Sequence, residues 1–335
     1  MTRYPHVSVV VPVRNAADTI ADCVDSLLAL AYPSDRFEVL VVDNASTDGT
    51  PAILERYAGR VRLLQEPSRG ASHARNTGIR QARGEVIAFT DADCRVDPSW
   101  LTEIVPAVSD EDVGLAGGPI LATRPCNYVE RFGERIHDHE RAITFCVPPY
   151  VITANCTARK STLQAVGGFD PAFLRTQDAD LAFRVWGAGH RLVFAGGAIV
   201  YHRNERTLRG LMGEGFQHGL WTVPLFRRHR SLPGAGRRIH LGPYLRLATS
   251  LLRSAVGPDR LEARCVSAFQ LGKLAGKASG LVRFRRLRLW VPAPRSSNWQ
   301  LRPPRRRRSG QSGSTRRSSC RTSVTRRCAN APGTP

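Results

Sequence analysis

The chain has 335 residues, 42% of them hydrophobic, enough for one large domain or two modest ones with an ordinary core. Its formal net charge is +21 and unevenly spread: residues 1–204 hold 21 basic and 24 acidic side chains, residues 205–335 hold 28 and 4. The eight cysteines include no C-x-x-C pair, which argues against a structural zinc site, and the length argues against a disulfide scaffold; reduced thiols are expected. No apolar run reaches the ~20 residues of a membrane span, and the first residues read as a strand, not a cleaved leader.

Taken in chain order, "VSVVVPV" (7–13) is a β-branched apolar run suited to a strand buried on both faces. Residues 16–30 place Ile20, Val24, Leu27 and Leu28 at helical spacing, and "FEVLVVD" (37–43) is a second buried strand. Ser46, Thr47 and Asp48 then offer helix caps, with Pro51 suited to a first turn. A strand at 61–66, a helix at 70–82 and a strand running into the acidic end of 84–93 follow. This alternation predicts a parallel sheet covered by helices on both faces. Ligands bind such sheets at the carboxyl ends of their strands, so the residues to watch are Pro12 to Asn15, Asp43 and Asn44, and Asp91 to Asp93.

The next part is less regular. Residues 112–122 read as one strand with a Gly pair, and 127–145 as a helix or a mobile segment. Residues 150–173 read as strand, turn, short helix and loop, 178–189 as a helix with an acidic start, and 190–202 as two short strands ending in His202. "HDHE" (137–140) is expected to be a solvated polar stretch, because residues two apart on a helix do not share a face. Cys94 is expected to be a small buried residue. Asp180 is expected to form a helix-surface ion pair with Arg184.

No G-x-G-x-x-G or G-x-x-x-x-G-K-[ST] follows the first strand, so a phosphate-bearing ligand would need a cation for neutralisation. Asp91 and Asp93, hard oxygen donors at a strand end, suit Mg2+ or Mn2+. An isolated D-x-D is more often an Asp-capped turn; its place at a strand end beside other polar strand ends favours the metal.

The segments "VSVVVPVRN", "VVDNASTDGT", "GASHARNTGIRQARGEVIAFTDADC", "VGGFD", "QDADLAFRVWGAGHR" and "VYHR" occur in the order found in family 2 glycosyltransferases, which the chain resembles over about residues 6–230. The resemblance implies an α/β fold of GT-A type, with a mostly parallel central sheet flanked by helices. It implies a UDP- or GDP-sugar donor, a hydroxyl acceptor, a divalent metal (Mn2+ or Mg2+) and transfer with inversion. Many relatives act on lipid-linked or cell-envelope acceptors. Carried over position by position, Pro12, Val13 and Arg14 would line the nucleoside pocket, Asp43 would bond the base, and Arg75 would lie near base or phosphates. Asp91 would contact ribose or metal-bound water, Asp93 would bind the metal, and His202 would help bind metal or diphosphate. Asp178 would be the general base; the family usually has Glu-Asp where this chain has Gln177-Asp178. Its bland alternative is a helix N-cap.

The expected organisation is a catalytic domain over 1–204, a basic helical region over 205–298 and a disordered Arg/Ser-rich tail over 299–335. Leu208, Leu211, Met212 and Phe216 continue helical spacing. Leu241, Leu245, Ala248, Leu252 and Ala255 form one apolar face flanked by Arg246 and Arg253, the pattern of a membrane-surface helix or of a helix packed on the catalytic domain. Aromatic and arginine residues recur over 281–292. The tail reads as a polybasic arm or as an out-of-frame extension. These features predict a cytoplasmic protein or one peripheral to the inner face of the plasma membrane, an anionic membrane surface as a partner, and no nucleic-acid role. Two rival readings stay open: a catalytically impaired cationic membrane- or nucleic-acid-binding protein, favoured only by Gln177, and a sugar nucleotidyltransferase, disfavoured because "PVRNAAD" supplies no Gly-rich loop.

Overall fold

β1 (Val7–Val13) has every residue buried, and it needs its apolar side chains on both faces because helices cover both. The computed structural model describes residues 4–235, 242–256 and 259–285, all within one compact unit. Val7, Val9, Val11 and Val13 pack with Ile20, Val24 and Leu27 of α1 (Ile20–Leu28), while Val10 packs on the opposite side with Ala74 and Ile79. β1 pairs in parallel with β2 (Phe37–Asp43) and, across β2, the sheet ends at β3 (Arg62–Gln65). α2 (Thr50–Glu55) links β2 to β3, and α3 (Ala71–Gln81) links β3 to β4 (Val86–Phe89), which lies parallel to β1 on its other side. Gly78 lets α3 sit close, since a side chain there would overlap Val10.

The predicted α/β sheet is therefore present and mostly parallel. β4 is shorter than the 84–93 run, because the chain leaves the sheet after Phe89, and its acidic residues lie outside the ladder. β5 (Cys94–Val96) and α4 (Trp100–Ile104) follow. The run expected as one strand at 112–122 divides into β6 (Val113–Gly117) and β7 (Ile120–Ala122), which belong to different sheets. The break falls at Gly118-Pro119, where a side chain on Gly118 would strike the Ala198 carbonyl and Pro119 offers no N–H.

Residues 127–145 are two helices, α5 (Tyr128–Ile136) and α6 (His139–Thr144). Each is capped by its own side chain: Asn127 accepts from the Glu130 N–H and Asp138 from the Arg141 N–H. β8 (Cys156–Arg159) then inserts antiparallel between β4 and β6, followed by α7 (Lys160–Ala165) and α8 (Gln177–Gly187). β9 (Arg191–Phe194) closes the seven-stranded sheet beside β6. β10 (Val200–His202) joins β5 and β7 in a three-stranded sheet.

Three longer helices complete the described chain: α9 (Leu208–Arg228), α10 (Gly242–Val256) and α11 (Arg260–Arg283). α9 and α11 meet backbone to backbone. A methyl group on Gly219 would overlap the Lys273 carbonyl oxygen, and one on Gly276 would overlap that of Phe216. The glycines recur at four-residue spacing, Gly215 and Gly219 on α9 and Gly272, Gly276 and Gly280 on α11, which is what close helix approach requires. The tail expected over 299–335, most of 281–292, and the predicted face position Leu241 lie outside the described residues.

Gly276→Ala should therefore destabilise the fold by roughly 1–3 kcal/mol, the usual cost of forcing extra volume into a close contact. Urea denaturation would show it as a lowered midpoint; an unchanged midpoint would mean that the helices can separate at no cost.

Candidate active site

The ends of β1 and β2 are laced together. Asn15, in the left-handed region at φ 51°, accepts from the Thr47 N–H at 2.8 Å, and its own N–H donates to Ser46 Oγ at 3.0 Å. The Ala16 and Ala17 N–H groups donate to Thr50 Oγ1 and Asp48 Oδ2. The Asn44 side chain donates to the Glu66 and Ser68 carbonyls and accepts from the Gly70 N–H. These bonds hold the loop ends around a cavity of about 1530 Å³.

Pro12, Val13, Arg14, Arg75, Asp91, Asp93, Asp178 and His202 all line that cavity. Asp43 is not among its lining residues. Its carboxylate accepts from the Ser46 N–H in its own loop, and Asn44 lines the cavity instead.

Arg75 lies on the face of α3 that packs inward and is 3% exposed. One terminal nitrogen donates to Asp91 Oδ1 at 2.6 Å. With the Gln177 amide oriented so that its neighbours are satisfied, the other donates to the Gln177 side-chain oxygen at 2.8 Å. In that orientation the Gln177 NH2 group donates to the Phe173 and Leu174 carbonyls. The guanidinium also lies 5.5 Å over the Phe169 ring. A glutamate at 177 could accept from Arg75 but could not donate to the two carbonyls.

Asp93 and His202 are 109 positions apart in sequence, and the small sheet brings them together: antiparallel pairing of β5 with β10 sets His202 opposite Cys94. His202 Nε2 lies 3.5 Å from Asp93 Oδ2, and Nδ1 bonds Asn204 Oδ1 at 2.7 Å. Burial works against charge on His202, but Asp93 and Asn204 lift its pKa to about 9. Burial likewise opposes charge on Asp93, and the His202 hydrogen bond outweighs it, holding that carboxyl below its usual range. Ligand atoms of Asp93, Cys94 and His202 lie within 4.8 Å of one another. Cys94 is buried, as expected, and burial together with the adjacent Asp93 and Asp91 pushes its thiol well up, so it stays protonated. With that thiol protonated, the atoms left to hold a cation are the Asp93 carboxylate oxygens and the His202 imidazole nitrogen, with Asp93 45% exposed toward the cavity.

Asp178 is the second residue of α8, whose N-cap Thr176 has a φ of 59°, strained for a β-branched residue. Asp178 does not cap the helix; its Oδ1 accepts from the N–H of the next residue, Ala179. Burial raises its pKa, opposed by that N–H, by Arg75 and by His218.

Two expectations are corrected. Asp180 does pair with Arg184, at 2.7 Å, but it is fully buried and not on the surface. It also accepts from His229 at 2.8 Å, and Arg228 lies 3.6 Å away, because the end of α9 packs over α8. "HDHE" is solvated only at Asp138 and Glu140, which are exposed; its two histidines turn inward. The helix breaks between its histidines: His139 is buried and bonds the Gly118 carbonyl and the Ile152 N–H, while His137 stacks edge-on to His202 at 4.9 Å. Burial lowers both imidazoles to about 4. Glu214 of α9 stands 3.6 Å from His137 and 3.7 Å from His218, and with Gln217, Lys273 and Lys277 it walls the far side of the cavity. The helical spacing of Leu208, Leu211, Met212 and Phe216 was legible in the sequence, but not that this helix walls the cavity.

The model for "Glycosyl transferase family 2" matches residues 8–167. Glycosyltransferase AglE of Haloferax volcanii is 32% identical over 204 residues, 59% of this chain and 67% of that one. This chain belongs to glycosyltransferase family 2. The beta-monoglucosyldiacylglycerol synthase of Synechocystis sp. is 31% identical over 195 residues, 54% of this chain and 40% of that one. The chain therefore spans two thirds of the first relative's length and two fifths of the second's. A mannosyltransferase from Pyrobaculum calidifontis, solved with GDP-Man and Mn2+, superposes with a TM-score of 0.63 at 24% identity, covering 84% of this chain and 88% of that one. The likeness is one of fold and agrees with the GT-A architecture of this glycosyltransferase. Family membership also disposes of the nucleotidyltransferase reading.

Asp180 supplies a test of how α8 is held. Burial alone would raise its pKa, but His229, Arg184 and Arg228 outweigh it and keep it lowered. Its stabilisation is then complete above the unfolded value of ~3.9 and is lost as pH falls through the folded one. Asp180→Ala should cost roughly 3–5 kcal/mol at neutral pH. It should also flatten the acid side of a stability-against-pH curve from chemical denaturation; a curve parallel to the parent's would contradict the assignment.

Proposed function

We propose that this glycosyltransferase moves a sugar from a UDP- or GDP-sugar to a hydroxyl of a lipid-linked or cell-envelope acceptor, with a Mn2+ or Mg2+ ion and with inversion. The observation that carries the reading is the convergence of Asp91, Asp93, His202 and Asp178 on one cavity, with Arg75 beneath them. The lipid-linked acceptor draws support from the name of the Synechocystis relative, a beta-monoglucosyldiacylglycerol synthase. No helix among the described residues is long and apolar enough to cross a membrane, and the proposed place of work is the cytoplasmic face of the plasma membrane, bound peripherally.

Asp93 and His202 would hold the cation, with His202 giving up its proton to do so. When bound, the cation neutralises charge on the leaving diphosphate. Pro12, Val13 and Arg14 line the nucleoside end, beside Asn44. Arg75 fixes Asp91 toward the donor ribose. Asp178, with Oδ1 held by Ala179, takes the acceptor proton on Oδ2 as the acceptor oxygen bonds the anomeric carbon and the bond to diphosphate breaks. The raised pKa of Asp178 makes it a better base, and keeps it in use only above that pKa.

Gln177 fits this scheme as an active feature. It keeps Arg75 oriented without adding a carboxylate beside Asp178. Gln177→Glu should lower kcat about ten-fold and move the acid limb of the pH–rate profile upward, since a further negative charge raises the pKa of the base. An unmoved limb would refute this role.

The site is tested by donor-consumption assays with UDP- and GDP-sugars, with and without Mn2+. Asp93→Ala should abolish metal-dependent turnover. Asp91→Ala should raise KM for the donor roughly 10- to 100-fold, the worth of a charge-assisted hydrogen bond. If both variants matched the parent, "TDAD" would be a polar turn. The anomeric configuration of the product, read by NMR, decides inversion.

A further inference from the structure

We propose that the outward face of α10 docks on an anionic lipid surface, with Leu245, Ala248 and Leu252 entering it. Ser250 packs inward, bonding Ser267 of α11 at 3.0 Å. On a helix of 100° per residue, Leu245 and Leu252 then lie on the opposite side. They are 64% and 68% exposed, and Ala248 between them is exposed as well. Two large leucines left in water on one stripe, on the outer helix of a layer, are a surface built to be covered.

The charge of this part of the chain, with Lys273 and Lys277 turned to the cavity, selects the occupant. Residues 242–285 contain eight lysines and arginines and two acids, Asp259 and Glu262. Both acids are already engaged, Asp259 with Arg253 and Glu262 with Arg135. Residues 286–335 add thirteen arginines and no acid. A second copy of this face, or the arginine-rich segment, would bring like charge against like charge. An anionic bilayer brings the opposite charge together with apolar depth for the leucines, the two contributions that hold an interfacial helix. The packing of α10 on α11, whose Lys273 and Lys277 line the cavity, would put the catalytic cavity of the docked enzyme close to its lipid-borne acceptor. This purpose rests on the proposed acceptor; the docking itself does not.

The test is co-sedimentation of the full chain with vesicles of phosphatidylcholine alone or mixed with phosphatidylglycerol, at low and high salt. The parent should bind the anionic vesicles at low salt and little to the neutral ones. Leu245→Ser with Leu252→Ser should weaken binding about ten-fold while leaving circular dichroism and donor consumption in solution unchanged. Three results overturn the proposal: no binding by the parent, equal binding to neutral vesicles, or equal binding by the double variant, which would assign it to the arginine-rich segment. A dimer that the double substitution breaks, seen by sedimentation velocity, would make the face a self-interface and overturn it too. Vesicle binding is read without turnover, so its failure is separate from failure of the transferase reading.

Discussion

The guanidinium of Arg75 bonds the Asp91 carboxylate on one side and the Gln177 amide on the other, and lies over the Phe169 ring. An arginine this deeply buried costs several kcal/mol unless partners surround it. Each partner comes from a different part of the chain: Asp91 from the end of β4, Gln177 from the start of α8, Phe169 from the loop before it. Together they offset the burial of its charge. Its Nε has no partner, so the balance is tight. Arg75 reaches this depth because α3 lies against β1 at Gly78. One small residue under a helix thus decides where the guanidinium sits, and the guanidinium decides where the Asp91 carboxylate points.

The second constraint is the turn from one sheet into another. The chain leaves the main sheet after Phe89, places Asp91 and Asp93 in the gap, and resumes as β5 in the small sheet. β10 pairs with β5 and ends in His202. The Arg203 N–H donates to the Asp93 carbonyl at 3.1 Å, so the backbone as well as the side chains joins these two segments. Carboxylates that repel are therefore kept near each other by opposite charges on either side, Arg75 for Asp91 and His202 for Asp93. The opposing shifts of Asp93 and His202, one lowered and one raised, are the electrostatic record of that pairing.

Much of the half built from β1 to β4 was legible. β1 and β2 have the bounds that their apolar runs predict, and polar residues at strand ends do gather at one cavity. These features depend on local patterns: unbroken apolar runs, caps, and strand–helix alternation. What was not legible depends on pairing between distant segments. Nothing local distinguishes β6 from β7, because the bend at Gly118-Pro119 matters only once Ala198 is packed beside it. The burial of Asp180 needs His229, 49 residues on. "HDHE" looked solvated because its histidines sit two apart on an assumed helix, and the cap at Asp138 breaks that helix between them. Asp43 follows the family pattern in sequence, yet its loop turns its carboxylate toward Ser46.

The wall of the cavity formed by α9 and α11 is built on a different physical basis from the strand-end side. It is a pair of helices whose contact is made by main chain, Gly219 against the Lys273 carbonyl and Gly276 against that of Phe216. Where backbone meets backbone at these glycines, α9 and α11 cannot slide without losing close packing at several of them at once. Their large side chains point elsewhere: Glu214, Gln217 and His218 from α9 and Lys273 and Lys277 from α11 toward the cavity, Leu220 and Trp221 into the apolar cluster with Phe183 of α8. α8 is thereby gripped twice, by this cluster and by the buried Asp180 bonds to His229 and Arg184. Asp178 is the second residue of that same helix. The packing of the basic C-terminal helices therefore holds the start of α8, and with it Asp178, against the cavity.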